Sequence, residues 1–262
     1  MEKFKANPYN LNNKLITEND IINIMKRLNI NDFKTERLDL YQTSFVHKSY
    51  CHLKDYEEYD YPGGEYLPLQ KNSYETIEFL GDAILGSVVS SYIYSRFHEI
   101  HGENEGFLTK LKIRLVCGEN LTNIANKMDL SKFIIISKHI EDKCSGRNNK
   151  NILEDVLESF IGTLYKDKGY DYTENFIINV IEKYCDLTEI MLKDTNYKDQ
   201  ISRYFQQSFN IYPKYKTEKY ENIFKSSIYN DTKLISIGSG DSKKKAEQDV
   251  SKKALIHFNV IA

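Results

Sequence analysis

Apolar positions along this chain recur with two different periods. From about residue 19 to 125 they fall mostly at helix-face spacing, as with Ile21, Ile22, Ile24, Met25 and Leu28 in "DIINIMKRLNI" and again in "LTKLKIRLV" (108–116). Two stretches are more densely apolar, "YETIEFLGDAILGSV" (74–88) and "NILEDVLESFIGTLYKDKGY" (151–170). The first predicts a helix buried almost all round; the second predicts a helix that ends at Gly169. Past residue 198 the period changes. Lys198–Phe209 predicts a helix, and 212–238, rich in Tyr, Ile and Thr with a turn at "YNDT" (229–232), predicts a short antiparallel meander. Residues 242–258 return to helix, with Ala246, Val250, Ala254 and Phe258 at four-residue steps. The second part therefore reads α-β-β-β-α, and the chain as a whole is mainly α.

Breakers divide these runs. Residues 51–73 hold Pro62, Pro68 and the pair Gly63-Gly64, and predict a loop or insertion; "KHIEDKCSGRNNK" (138–150) predicts another loop. The expected organisation is an irregular N-terminal arm over 1–18, a helical module over 19–185, a linker over 186–195 and a second module over 196–262. Charge follows the same division. The net charge is −2, yet residues 193–262 carry 13 Lys and Arg against 8 Asp and Glu, a net of +5, leaving 23 against 30, a net of −7, before them. A basic module at the end of an acidic chain points to a polyanionic partner. No apolar run approaches the ~20 residues that span a bilayer, and no secretion signal is recognisable, so no membrane partner is expected. Cys51, Cys117, Cys144 and Cys185 are scattered, without disulfide or zinc spacing, and predict free thiols in a reducing, cytoplasmic setting.

The chemistry lies in carboxylates on the two apolar helices. Glu75, Glu78 and Asp82 are three and four residues apart and stack on one face; Asp155 and Glu158 do the same on the later helix. Acids at this spacing occur by chance on solvated helix faces. Among Ile77, Phe79, Leu80, Ile84, Val156, Leu157 and Phe160 they also fit a cation site, because packed carboxylates repel and take up protons unless a cation lies among them. Oxygen donors without His or Cys favour Mg²⁺, with Mn²⁺ as its substitute, and such a site suits phosphodiester hydrolysis. Gly86 and Gly162 each lie four residues beyond the last acid and predict a close approach by another backbone or a ligand. The six histidines show no ligand spacing, and His47 is expected to pack or cap. No organic cofactor is called for.

These stretches resemble the ribonuclease III family. "YETIEFLGDAILGSVV" is similar to its signature helix, "TSFVHKSY" (43–50) to the segment before it, and "GENEGFLTKLKIRLVCGENLTNIANKMDL" (102–130) to the segment after it. "NILEDVLESFIGTLYKDKGY" resembles its second acidic helix, and the α-β-β-β-α unit with "GSGDSKKKAEQDVSKKAL" (238–255) resembles a double-stranded-RNA-binding domain. The resemblance runs from about residue 20 to the C-terminus in the order of the simple bacterial type. It implies an all-helical nuclease domain that homodimerises and cuts both strands of duplex RNA with Mg²⁺, leaving 5′-phosphates and short 3′-overhangs. By the same resemblance Glu78, Asp82, Asp155 and Glu158 are the catalytic metal ligands, with Glu158 the most demanding. Glu75 and Glu105 fall at family positions near the dimer interface or the RNA; for Glu105 a helix-start acid is an equally good reading. A bacterium, a lower eukaryote and a large DNA virus are all compatible sources.

In the basic module, Lys243, Lys244 and Lys245 open a helix behind Ser242, where dipole and lysines together attract phosphate. In the family this cluster grips the backbone of the duplex. Two departures stand out: Ser202 and Arg203 occupy positions where the family's first helix offers an amide and an acid, and "KYENIFKSS" (219–227) lacks the family's Gly-Pro-x-His loop. The minor groove is then contacted differently and the phosphate grip dominates. Two other readings use the same fold: a non-catalytic RNA-binding or assembly factor, and a protein that sequesters duplex RNA from a silencing system. The four intact acids argue against the first.

Overall fold

Most of the helices begin where a short polar side chain takes up an orphan backbone N–H. In the computed structural model, which describes residues 7–56, 59–192 and 196–261, α1 (Glu18–Arg27) starts in a reciprocal capping box between Thr17 and Asp20. α2 (Leu38–Thr43) is a single short helix, and α3 (Glu75–Ile93) runs on into a wider π-helical turn, Tyr94–Glu99. Asn104 caps α4 (Glu105–Leu115), whereas α5 (Gly118–Lys127) starts at Cys117 without a side-chain cap. Within the predicted 138–150 loop lies a short helix, α6 (Lys138–Lys143), whose start is fixed by the Ser137 hydroxyl accepting from the Ile140 N–H. Composition there reads as loop, but one cap is enough to nucleate a turn and a half. Asn149 caps α7 (Lys150–Lys168), and Gly169, at φ +80°, separates it from α8 (Tyr170–Tyr184). α9 (Leu187–Leu192) occupies much of the segment expected as a linker.

The chain divides into two compact units, Met1–Ile190 and Met191–Ala262. In the first, α3 and α7 cross at the centre. A Cβ added at Gly81 would lie 1.7 Å from the Glu158 carbonyl oxygen, and one at Gly162 would lie 2.3 Å from the Ile77 carbonyl oxygen. Only hydrogen at both positions permits this approach. The expectation for Gly162 is met, but Gly81 and not Gly86 is its counterpart: a Cβ at Gly86 would meet only the Lys112 ammonium, at 4.0 Å. Around the crossing, Phe160 packs edge-on or tilted against Tyr41, Phe45 and Phe176 at centroid distances of 5.6, 6.1 and 5.6 Å, all four rings fully buried.

α3 itself is not buried all round. Gly81, Leu85, Val88 and Val89 face inward, while Phe79 is 78% exposed and Ala83 also faces solvent. Residues 7–17 are irregular yet anchored: Ile16 is fully buried, and the Asn10 and Asn13 side chains both donate to the Ile136 carbonyl. The described part of 51–73 is likewise pinned, with Tyr50 donating to the Leu67 carbonyl, Tyr56 to the Ser49 carbonyl, and the Gln70 N–H to the Tyr50 carbonyl.

The second unit follows the predicted α-β-β-β-α order. α10 (Tyr197–Phe209) precedes an antiparallel sheet β1-β2-β3 (Lys214–Tyr220, Ile223–Asn230, Lys233–Gly240), and α11 (Lys243–His257) closes it. Both hairpins turn through left-handed residues, Glu221 and Asp231. One face of the sheet packs Ile228 against Ile201 and Phe205 of α10 and Val250, Ala254 and Leu255 of α11.

Candidate active site

The α3–α7 crossing decides which acids meet. Glu78 lies one turn from the inward-facing Gly81, and Glu158 is the residue whose carbonyl Gly81 touches. One carboxylate oxygen each from Glu78, Asp155 and Glu158 lies within 4.8 Å of the others. Glu158 is only 7% exposed. Burial, and then the charges of Asp82, Glu154, Glu78 and Asp155, push its carboxyl up to about 8. Burial and the neighbouring acids, Asp155 first among them, also raise Glu78. Asp155 is raised by burial, opposed by a hydrogen bond donated from the Tyr74 hydroxyl at 3.0 Å and by the Lys48 charge.

Asp82, grouped with these acids by sequence spacing, is exposed and falls outside the 4.8 Å trio, although it is the largest charge acting on Glu158. Spacing along the chain did not single out Glu154. It sits four residues before Glu158 on the same helix, and burial together with the charges of Asp155 and Asp82 raises its carboxyl. Its carboxylate packs on Gly118 at the start of α5, with Oε2 2.2 Å from where a Cβ there would stand. The four-residue step from Glu154 to Glu158 is the signal by which it could have been found.

The remaining candidates are engaged within the chain. Glu75 accepts from the Lys48 ammonium at 2.7 Å, so that acid of the stripe is neutralised locally. Glu105 lies in the first turn of α4, exposed, and accepts from the Thr109 hydroxyl at 3.0 Å. His47 caps the turn Lys48–Tyr50, its Nδ1 accepting from the Ser49 N–H, and burial lowers its pKa.

The trio fits a hard divalent cation. Its donors are all carboxylate oxygens, and burial together with their mutual repulsion, which raises the Glu158 carboxyl, is what a cation among them would relieve.

In the second unit, Ser242 caps α11 by accepting from the Lys245 N–H, and Lys243, Lys244 and Lys245 are all exposed. Lys245 pairs with Asp241 at 2.6 Å and Lys243 approaches Glu247 at 4.0 Å; Lys244 makes no ion pair among the described residues. The Ser202 hydroxyl donates to the Lys198 carbonyl and Arg203 pairs with Asp199 at 3.0 Å.

Residues 38–184 match the family described as Ribonuclease-III-like, and residues 197–257 match the double-stranded RNA binding motif. A probable ribonuclease 3 of Acanthamoeba polyphaga mimivirus is 34% identical over 260 residues, covering 96% of this chain; the chain spans only 47% of that protein. Ribonuclease 3 of Borreliella burgdorferi is 30% identical over 231 residues, covering 85% of this chain and 87% of its own length. The nuclease domain of ribonuclease III from Campylobacter jejuni, a structure described for flexibility in a region involved in dimer formation, superposes with a TM-score of 0.50 at 27% identity, over 63% of this chain and 98% of that one. With the helical crossing, the acid trio and the α-β-β-β-α unit in this order, the chain belongs to the ribonuclease III family of endoribonucleases.

Proposed function

We propose that this protein hydrolyses phosphodiester bonds in both strands of duplex RNA, using Mg²⁺ or Mn²⁺ in its place, and leaves 5′-phosphates and short 3′-overhangs. The observation that carries this reading is the convergence of Glu78, Asp155 and Glu158 at the α3–α7 crossing, in a chain whose second unit is a double-stranded RNA binding motif. Those three, with Asp82 beside them, would hold the metal. When bound, the ion activates water and neutralises charge on the phosphate and the leaving oxygen. The protein's own part is to give up the Glu158 proton, to keep the acids in one orientation, and to bring the duplex to them. Lys243, Lys244 and Lys245 supply that grip through the phosphate backbone, which carries no sequence information; Ser202 and Arg203 would meet the minor groove, with contacts other than the family's amide and acid.

A homodimer provides one such site for each strand. The exposed Phe79 and Ala83 on α3 offer apolar surface that a second copy would cover. The free cysteines support work in a reducing compartment, the cytoplasm.

The test uses long duplex RNA and the full chain. Wild type cuts with Mg²⁺ and not with EDTA, while Glu158→Gln loses cleavage yet binds the duplex with unchanged affinity. A wild-type protein that binds duplex RNA but never cuts it, at any metal concentration, would sink the enzyme reading in favour of a sequestering role.

A further inference from the structure

Tyr74 stands immediately before α3 and serves both acidic helices. Its ring is 1% exposed, and its N–H donates to the Val46 carbonyl at 2.9 Å. Its carbonyl accepts from the Ile77 and Glu78 N–H groups at 3.0 and 2.9 Å, which sets the first turn of the helix carrying Glu78. From this anchored position its hydroxyl crosses to α7 and donates to Asp155 Oδ2 at 3.0 Å.

A carboxylate on a short side chain is free to rotate about its Cβ–Cγ bond. In a cluster of acids it turns away from its neighbours toward any cation within reach. For Asp155 that cation is the Lys48 ammonium, already bound to Glu75 at 2.7 Å and close enough to act electrostatically on Asp155. A hydroxyl fixed on Oδ2 blocks this rotation. We propose that Tyr74 is a positioning residue of the metal centre: its hydroxyl locks Asp155 in the orientation that meets Glu78 and Glu158, and keeps it from Lys48. It touches no reacting atom. Partners that orient metal ligands in this way typically account for about 10- to 100-fold in metal affinity. The inference rests on the reading of the acids as metal ligands.

Tyr74→Phe tests it, because the ring that fills the buried site is kept. Mn²⁺ binding to the full-length protein is measured by electron paramagnetic resonance, thermal unfolding is measured in EDTA, and cleavage is titrated with Mg²⁺. The expected result is Mn²⁺ affinity lowered about 10-fold and a correspondingly higher Mg²⁺ requirement, with most of the maximal rate recovered at saturating metal. In an Asp155→Asn background, removal of the hydroxyl should change Mn²⁺ affinity no further. Unchanged Mn²⁺ affinity in Tyr74→Phe, whatever happens to its melting temperature, overturns the proposal and leaves Tyr74 a packing residue. Equal losses in both backgrounds overturn it too. If the wild-type protein binds no Mn²⁺, the reading of the acids fails first; if wild type and Tyr74→Phe bind it equally, only the role of Tyr74 fails.

Discussion

Glu158 couples the stability of the fold to the chemistry. In the folded chain its carboxyl is pushed up to about 8, whereas in an unfolded chain a glutamate releases its proton at about 4.3. A folded-state value above the unfolded one means that the contribution to stability is full below the unfolded value. It is then lost as pH rises toward and through about 8. Glu78, Glu154 and Asp155 are raised as well and act with the same sign. In EDTA the melting temperature should therefore fall as pH rises between about 4.5 and 8. Glu158→Gln should flatten that slope, and excess Mg²⁺ should reverse it. A metal-free melting temperature that rises across this window would show that the cluster is not a net repulsive one.

At the scale of elements, the fold turns on how closely α3 and α7 can approach. Gly81→Ala puts a methyl group 1.7 Å from the Glu158 carbonyl oxygen, so α7 has to move. The expected cost is about 3 kcal/mol, read from urea denaturation, together with disappearance of the Mg²⁺-induced rise in melting temperature as Glu78 and Glu158 separate. Gly86→Ala is the matched control. It meets nothing closer than 4.0 Å, and Ala is the better helix former by up to about 1 kcal/mol, so it should be neutral or stabilising. Sequence periodicity located both acidic helices. It read α3 as buried almost all round, whereas Phe79 and Ala83 face solvent, because apolar identity alone does not say whether a side chain is covered.

At the scale of the molecule, catalysis and grip are assigned to separate units, and so are their sensitivities. Replacing Lys243, Lys244 and Lys245 together by Ala should weaken duplex binding uniformly across sequences. It should also lower the slope of log affinity against log salt by roughly 2 to 3, since each phosphate that a lysine neutralises adds about one to that slope. Fluorescence anisotropy over a KCl series measures this, and Mn²⁺ binding by the acid cluster should not change. If the affinity moves without the slope, the lysines act through folding of α11 and not through phosphate. Sedimentation at twice the 30.7 kDa chain mass, reduced to one by Phe79→Glu, would establish the homodimer; a monomeric wild type would exclude it.

The pattern along the chain was by itself sufficient for the mainly helical first part, the α-β-β-β-α second part, the two acidic stripes and the lysine run, because each depends on spacing within one element. Which acids meet was decided in three dimensions. Asp82 and Glu78 share a helix face by spacing, yet only Glu78 joins the close trio; Glu154 enters the electrostatics of the site from a position that the stripes do not include. Gly81 takes the place of Gly86 as the contact glycine for the same reason. A sequence period defines a face of a helix but not the point along it at which another helix crosses, and here that crossing point determines which carboxylates stand close enough to share a cation.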